Sequence, residues 1–337
     1  MTIILSASRS SQAQMTVVLD AGHGGKDPGA LGSKVKEKDV TLDIVLKLGK
    51  LITTKYPDVK VIYTRKKDTF VTLNGRAAVA NKNNADLFIS IHCNSLPSSP
   101  VTKGVETFVM GEHRNNANLQ VAKSENASIL FEDDSDSSYD GFDPNSTESY
   151  IIFSLVQSEH KTQSLKFAEK VQNQLVKNGK RKNRGVQQAG FLVLYKTSMP
   201  SVLVELGFLS NKEEEKLMTS EAGKNEIAAA LLSAFDDYKN NWDQSKAIVT
   251  QNSNNNATTT SGTIYKVQFD SKNSKLKDFK SHYKGLDNVE EYFHNGMYKY
   301  TAGRFTDKSD ADKYCEQLRK KGYSGAFVVK FKDGKRE

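Results

Sequence analysis

Hydrophobic residues fall along the first two-thirds of this 337-residue chain in two alternating rhythms. Short, nearly continuous apolar runs occur at TVVLD (16–20), VKVIYT (59–64), DLFISIH (86–92) and SVLVEL (201–206). Such runs suit strands covered on both faces. Between them the apolar positions take helical spacing: Val40, Ile44, Leu48 and Leu51 within residues 39–53, then Leu165, Ala168, Val171 and Leu175 within 160–178, with a further helix predicted at 222–238. Strand, helix, strand in that order predicts an α/β fold, with a central, mostly parallel sheet flanked by helices. Residues 240–262, NNWDQSKAIVTQNSNNNATTTSG, lose this periodicity. They offer too little apolar surface to offset chain entropy and read as a linker. Residues 263–337 then read as strand, variable stretch, hairpin, helix and strand, a small α+β domain whose helix turns Ala311, Tyr314, Cys315 and Leu318 inward.

Composition adds a charge asymmetry. The formal charge is +8, and residues 263–337 carry 17 Lys and Arg against 11 Asp and Glu, so +6 lies in the second domain. A basic module fits nucleic acid, an anionic membrane or an anionic polymer. The two cysteines, Cys93 and Cys315, fall in different domains and read as buried thiols rather than a disulfide. No stretch reaches the length of a transmembrane helix. Residues 1–14, MTIILSASRSSQAQ, hold a short apolar run followed by small residues, with Ser11 and Ala13 spaced as at a cleavage site. This resembles a truncated signal peptide and gives the expectation of export.

The candidate chemistry lies at the strand ends. In LDAGHGGKDPGALG (19–32) one histidine, His23, follows the first strand; His92 ends LFISIH; Glu205 ends SVLVE; and Glu37 opens the helix leading to the next strand. In open α/β sheets, ligands bind at the carboxyl edge of the strands. Two imidazoles and a carboxylate converging there, with a second carboxylate nearby, match a catalytic zinc site. We assign His23, Glu37 and His92 to the metal and Glu205 to proton transfer; the same donors suit iron too. Plainer roles compete: a structural histidine in a glycine turn, a charged helix start at Glu37, a core histidine at 92, and a buried ion pair of Glu205 with Arg65 or Arg76. A phosphate loop is excluded, since neither Gly-Lys-Ser/Thr nor G-x-G-x-x-G is present and Pro28 stands where a helix would begin.

Five blocks, VVLDAGHGGKDPGALG, KEKDVTLDIVLKL, YTRKKDTFVTLNGRAAVAN, ADLFISIHCNS and PSVLVELGFLSN, resemble zinc-dependent N-acetylmuramoyl-L-alanine amidases in order and spacing over residues 16–238. The resemblance implies a catalytic domain at 15–239, with His23, Glu37 and His92 as zinc ligands and Glu205 as the catalytic carboxylate. The implied reaction is hydrolysis of the amide joining N-acetylmuramic acid to L-alanine of the stem peptide. Between His92 and Glu205 the chain is longer than minimal members. The extra segment, about 112–150, resembles the insertion by which division-associated members occlude their own zinc until an activator protein withdraws it. Glu125, in AKSENASILFEDD, is the candidate for capping the metal; a solvated loop is the alternative.

Residues 263–337, with YKVQF, YKYTAGRFTDKSDADKY and GYSGAFVV, resemble a SPOR domain, a fold like that of RNA-recognition modules that binds peptidoglycan strands stripped of stem peptides. Candidate glycan contacts are Gln268, Phe269, Tyr298, Tyr300 and Arg304. YKVQF lacks the aromatic octapeptide of RNA-binding strands, so peptidoglycan rather than nucleic acid is the expected partner. Together these readings imply a periplasmic cell-wall amidase at the division septum. The alternative is a catalytically silent peptidoglycan-binding scaffold.

Overall fold

A computed structural model describes residues 14–113, 115–133, 139, 141–144, 146–154, 160–255, 263–294, 296–332 and 334–336. The signal-like residues 1–13 and the linker residues 256–262 lie outside these. The chain divides into two compact units, Met1–Tyr238 and Lys239–Glu337.

The first unit contains six strands, β1 (Thr16–Ala21), β2 (Lys60–Tyr63), β3 (Leu87–Asn94), β4 (Val105–Met110), β5 (Asn183–Ala189) and β6 (Ser201–Phe208). They form one sheet in the order β2-β1-β3-β6-β4-β5, with every neighbouring pair parallel except β6 and β4. Its helices are α1 (Glu37–Lys55), α2 (Leu73–Lys82), α3 (Asn116–Asn126), α4 (Thr147–Ser154), α5 (Lys161–Lys177), α6 (Leu192–Tyr195), α7 (Lys212–Thr219) and the start of α8 (Glu221–Asn255). The mostly parallel α/β architecture expected from the alternating rhythms is what forms. All eight residues of β6 are buried, as are seven of eight in β3, which is why these strands read as unbroken apolar runs. α1 buries Val40, Ile44, Val45, Leu48 and Ile52; Ile52, four residues beyond Leu48, closes the stripe in place of Leu51.

The helix α8 runs on through residues 240–255, the first part of the segment expected as a linker. The packed half, with Ile227, Leu231, Ala234 and Phe235 buried, pays the nucleation cost. No Pro or Gly follows Gly223 to stop propagation before Asn255.

The segment expected as an insertion carries α3, a 3₁₀ turn (Ala127–Phe131) and the start of α4. Leu119, Ala122, Ile129, Tyr139, Phe142, Tyr150 and Phe153 join the same core as Phe88, Phe108, Phe191 and Leu203. The described residues of the segment thus pack as a cover on this core; most of the acidic run at 132–140, expected in the alternative as a solvated loop, lies outside the described residues.

The second unit contains β7 (Thr263–Lys272), α9 (Phe279–His282), β8 (Glu290–His294), β9 (Met297–Phe305), α10 (Lys308–Lys320), β10 (Phe327–Lys332) and β11 (Lys335–Arg336). The sheet order is β11-β10-β7-β9-β8, antiparallel throughout. Two of the candidate glycan contacts are corrected here. Phe269 and Tyr300 lie in the core with Val267, Ala302, Cys315 and Leu318, because strand alternation turns them toward α10. Gln268 faces the other side but is buried, accepting a hydrogen bond from the Tyr292 hydroxyl at 2.6 Å. Tyr298 is half-buried with its ring 5.0 Å from that of Phe293, whereas Arg304 is exposed. Cys93 and Cys315 are both buried and free. No helix among the described residues is long and apolar enough to cross a membrane.

Candidate metal centre

The glycine-rich turn after β1 brings His23 over the carboxyl edge of the sheet. His23 itself has φ of 59°, a left-handed conformation uncommon outside glycine. Two glycines make room for the cluster. A Cβ on Gly22 would fall 2.5 Å from the His92 ring, and one on Gly29 would fall 2.6 Å from both Glu37 Oε2 and the His23 ring. The loop composition therefore serves close approach as well as turning.

His23, Glu37 and His92 converge with Glu125, one donor atom from each lying within 4.8 Å of the others. All four side chains are buried. His23 Nε2 lies 3.1 Å from Glu37 Oε2 and 3.0 Å from Glu125 Oε2; His92 Nδ1 lies 3.1 Å from Glu37 Oε1 and 2.7 Å from Glu125 Oε2. His92 Nδ1 nonetheless makes no hydrogen bond of acceptable geometry. The short separations are close to the edge of a tetrahedron built on ligand bonds of about 2 Å. Two imidazoles and two carboxylates in this arrangement fit a small divalent cation.

The outer nitrogens are fixed by partners that the sequence reading did not single out. His23 Nδ1 lies 2.8 Å from Asp27 Oδ2, which also accepts from Ser128 at 2.6 Å. His92 Nε2 lies 3.1 Å from Ser90 Oγ, which donates to Asp20 at 2.6 Å. These contacts place the proton on the outer nitrogen of each ring and leave the inner one free to coordinate. Asp20 is held by Arg76 at 2.8 Å and by Thr64 at 2.6 Å. Ser90 could have been found from strand alternation, two residues before His92; Asp20 was visible only as the polar end of an apolar run. Glu37 is locked by backbone donors, Cys93 N–H to Oε1 and Ala30 N–H to Oε2, each 2.8 Å.

Burial opposes charge on His23, but the Glu37 and Glu125 carboxylates outweigh it and raise its pKa well above the imidazole range. For His92, burial is likewise outweighed, by Glu125 and Glu37, and the pKa rises to about 9. Without a cation the cluster therefore holds protons at neutral pH, and a cation must displace them. Calorimetric titration of metal at pH 7 in buffers of differing ionisation enthalpy should show net proton release. Asp27→Asn should weaken metal affinity about 10- to 100-fold by loosening the His23 tautomer. An unchanged affinity would show that Asp27 plays no part in orienting the ring.

Glu205 lies in register beside His92 on the adjacent strand. It is fully buried and neither carboxylate oxygen has a hydrogen-bond partner. The alternative of an ion pair with arginine is not what forms: Arg65 donates to the carbonyls of Ala21, Gly22 and Lys38, and Arg76 pairs with Asp20. Burial, reinforced by Glu125, Glu37 and Glu106, holds the Glu205 pKa well above the ordinary carboxyl value.

Glu125 reaches the cluster from the last turn of α3. Asn126 anchors that turn on both sides, donating to the Gly190 carbonyl at 2.8 Å and accepting from Leu192 N–H at 2.9 Å. At the other end of α3, Asn118 donates to Gln187 on β5 at 3.0 Å.

The mostly parallel sheet thus carries, at its carboxyl edge and beneath a packed cover, paired histidines and carboxylates that could hold a metal. Residues 17–237 match the N-acetylmuramoyl-L-alanine amidase family, and the chain belongs to it. Residues 272–330 match the SPOR domain. The chain is 38% identical over 229 residues to N-acetylmuramoyl-L-alanine amidase AmiC of Escherichia coli O6:H1, a match covering 66% of this chain and 52% of that protein. It is 32% identical over 241 residues to AmiA of Escherichia coli K12, covering 71% and 81% respectively. Among solved structures, an N-acetylmuramoyl-L-alanine amidase from Clostridium difficile 630 superposes with a TM-score of 0.50 at 26% identity, covering 67% of this chain and 97% of that one.

Proposed function

We propose that this chain is a zinc-dependent cell-wall hydrolase that cleaves the amide between N-acetylmuramic acid and L-alanine of the peptidoglycan stem, in the periplasm at the division septum. The observation that carries the reading is the convergence of His23, Glu37 and His92 beside the buried, unpartnered Glu205. His23, Glu37 and His92 would hold the metal. When bound, zinc polarises a carbonyl and brings the pKa of water toward neutrality.

Glu205 would act as base toward the attacking water and as acid toward the alanine amine that leaves. Burial, together with the Glu125 and Glu37 charges, raises the Glu205 pKa in the closed state. Withdrawal of α3 clears the site. The SPOR domain would hold the enzyme on glycan strands already stripped of peptides.

Glu125 and its helix act as an occluding cover that an activator protein withdraws. Burial of Leu119, Ala122 and Ile129 under α3 and the 3₁₀ turn favours the closed state by several kcal/mol on the scale of about 1.5–3 kcal/mol for a large apolar side chain. The open form is then a minor population that an activator enriches.

The test is metal content together with stem-peptide release from purified peptidoglycan, for the full chain and for Glu125→Ala. The full chain should bind about one zinc and cleave weakly, and Glu125→Ala should cleave at least about tenfold faster, the factor that 1.4 kcal/mol of closed-state bias represents. Absence of metal and of release from both proteins would leave the silent scaffold as the better account. Equal, high activity in both would remove the occlusion and keep the amidase.

A further inference from the structure

Beyond the metal cluster the sheet carries a second polar group that the mechanism above does not use. His92 on β3, Glu205 on β6 and Glu106 on β4 are direct partners across three neighbouring strands. Directly opposed residues point to the same face, so the three side chains form one row at the carboxyl edge of the sheet. Glu106 is buried and accepts a hydrogen bond from Asn94 Nδ2 at 3.0 Å. Arg184 on β5 continues the row. Pairing of β4 with β5 slips by one residue at this point, from Val105 with Asn183 to Thr107 with Val186. A bulge of this kind re-aims the side chain it displaces.

Arg184 is held but not consumed. Its guanidinium lies 4.9 Å above the Phe208 ring, and its Nε is 3.4 Å from Glu106 Oε2 without hydrogen-bond geometry. Its side chain remains 30% exposed while that of Glu106 is 5% exposed. Burial keeps the Glu106 pKa above the ordinary carboxyl value despite Arg184. The fork of a guanidinium is suited to bidentate recognition of a carboxylate.

We infer that Arg184 is a specificity-determining residue that binds a carboxylate on the peptide side of the scissile amide, with Glu106 and Phe208 fixing its guanidinium. This inference rests on the amidase reading. Arg184 lies on the second strand from Glu205, roughly 10 Å away at about 4.8 Å per strand. Two residues of extended peptide span about 7 Å, and the arginine side chain covers the remainder. The carboxylate in reach is that of the residue following the alanine, an α-carboxylate where the second stem residue is glutamate linked through its side chain.

The experiment compares MurNAc-L-Ala-D-Glu with its α-amide, MurNAc-L-Ala-D-isoglutamine, as substrates of the full chain, of Arg184→Gln and of Arg184→Lys. The same two compounds are titrated calorimetrically into Glu205→Gln protein. The unaltered chain should favour the acid by at least about tenfold in kcat/KM, the size of a charge-assisted hydrogen bond, with the difference in KM. In Arg184→Gln the ratio should fall to within about threefold of one, and Arg184→Lys should keep part of the preference. Each ratio is taken on one preparation, so partial misfolding lowers both rates alike and leaves it readable. A ratio near one in the unaltered chain, or a ratio that Arg184→Gln does not change, overturns the inference while leaving the amidase standing. Neither cleavage nor binding of either compound once Glu125→Ala has opened the site would instead sink the amidase reading, and this inference with it.

Discussion

Glu205→Gln is expected to lower stem-peptide release by about 10²- to 10⁴-fold, the range for loss of a positioned general acid–base, while leaving metal content unchanged. The separation of the two readouts follows from the site. Glu205 is not among the four side chains whose donors converge, so its removal takes no ligand from the cation. Its two oxygens make no hydrogen bond, so an amide of the same shape breaks no contact. An unpartnered buried carboxylate, held above its ordinary pKa by burial and by three neighbouring carboxylates, is costly to keep for stability alone. Glu205→Gln should therefore match or exceed the thermal midpoint of the unaltered chain. Retained activity would mean that another group moves the proton; loss of metal together with activity would mean that Glu205 belongs to the ligand set.

Arg76→Met is expected to destabilise the first unit by about 3–5 kcal/mol, the cost of leaving one member of a buried pair uncompensated. At roughly 2–4 °C per kcal/mol for a domain of this size, that is a drop of about 6–20 °C in thermal midpoint. Arg76 is buried, and besides Asp20 it donates to the carbonyls of Ala21, His23 and Val71. Asp20 feels burial strongly, yet Arg76, Ser90 and Thr64 bring its pKa below the ordinary value, so it stays ionised. Methionine keeps the volume and removes the charge, stranding Asp20 and loosening Ser90 and, through it, His92. Metal affinity should fall along with the melting temperature. A change under about 1 kcal/mol would show that Thr64 and Ser90 suffice to hold the carboxylate.

The helical stripe from Val40 and the buried runs at 16–20, 86–92 and 201–206 were legible because both faces of these strands are covered and one face of the helix is. The continuation of α8 through 240–255 was not legible, because a helix already nucleated on a packed core needs no apolar stripe to extend. At the site, His23, Glu37, His92 and Glu205 were readable as polar residues ending apolar runs. Asp27 was not, because its role depends on which ring nitrogen it meets, and Ser90 was reachable only through strand alternation from His92.

By itself the sequence determined the alternation of strands and helices, the division into two modules, and the residue types at the strand ends. Those are properties of local periodicity and composition, which neighbouring positions along the chain fix. Only the tertiary structure decided that Glu125, more than thirty residues beyond His92, closes onto both histidines, that Glu205 is left without a partner, and that Phe269 and Tyr300 fill a core. The first two depend on strand register and on a cover packed across one sheet face, and the third on which side of a strand its helix lies. Each is a relation between residues distant in sequence, set by packing and not by spacing along the chain.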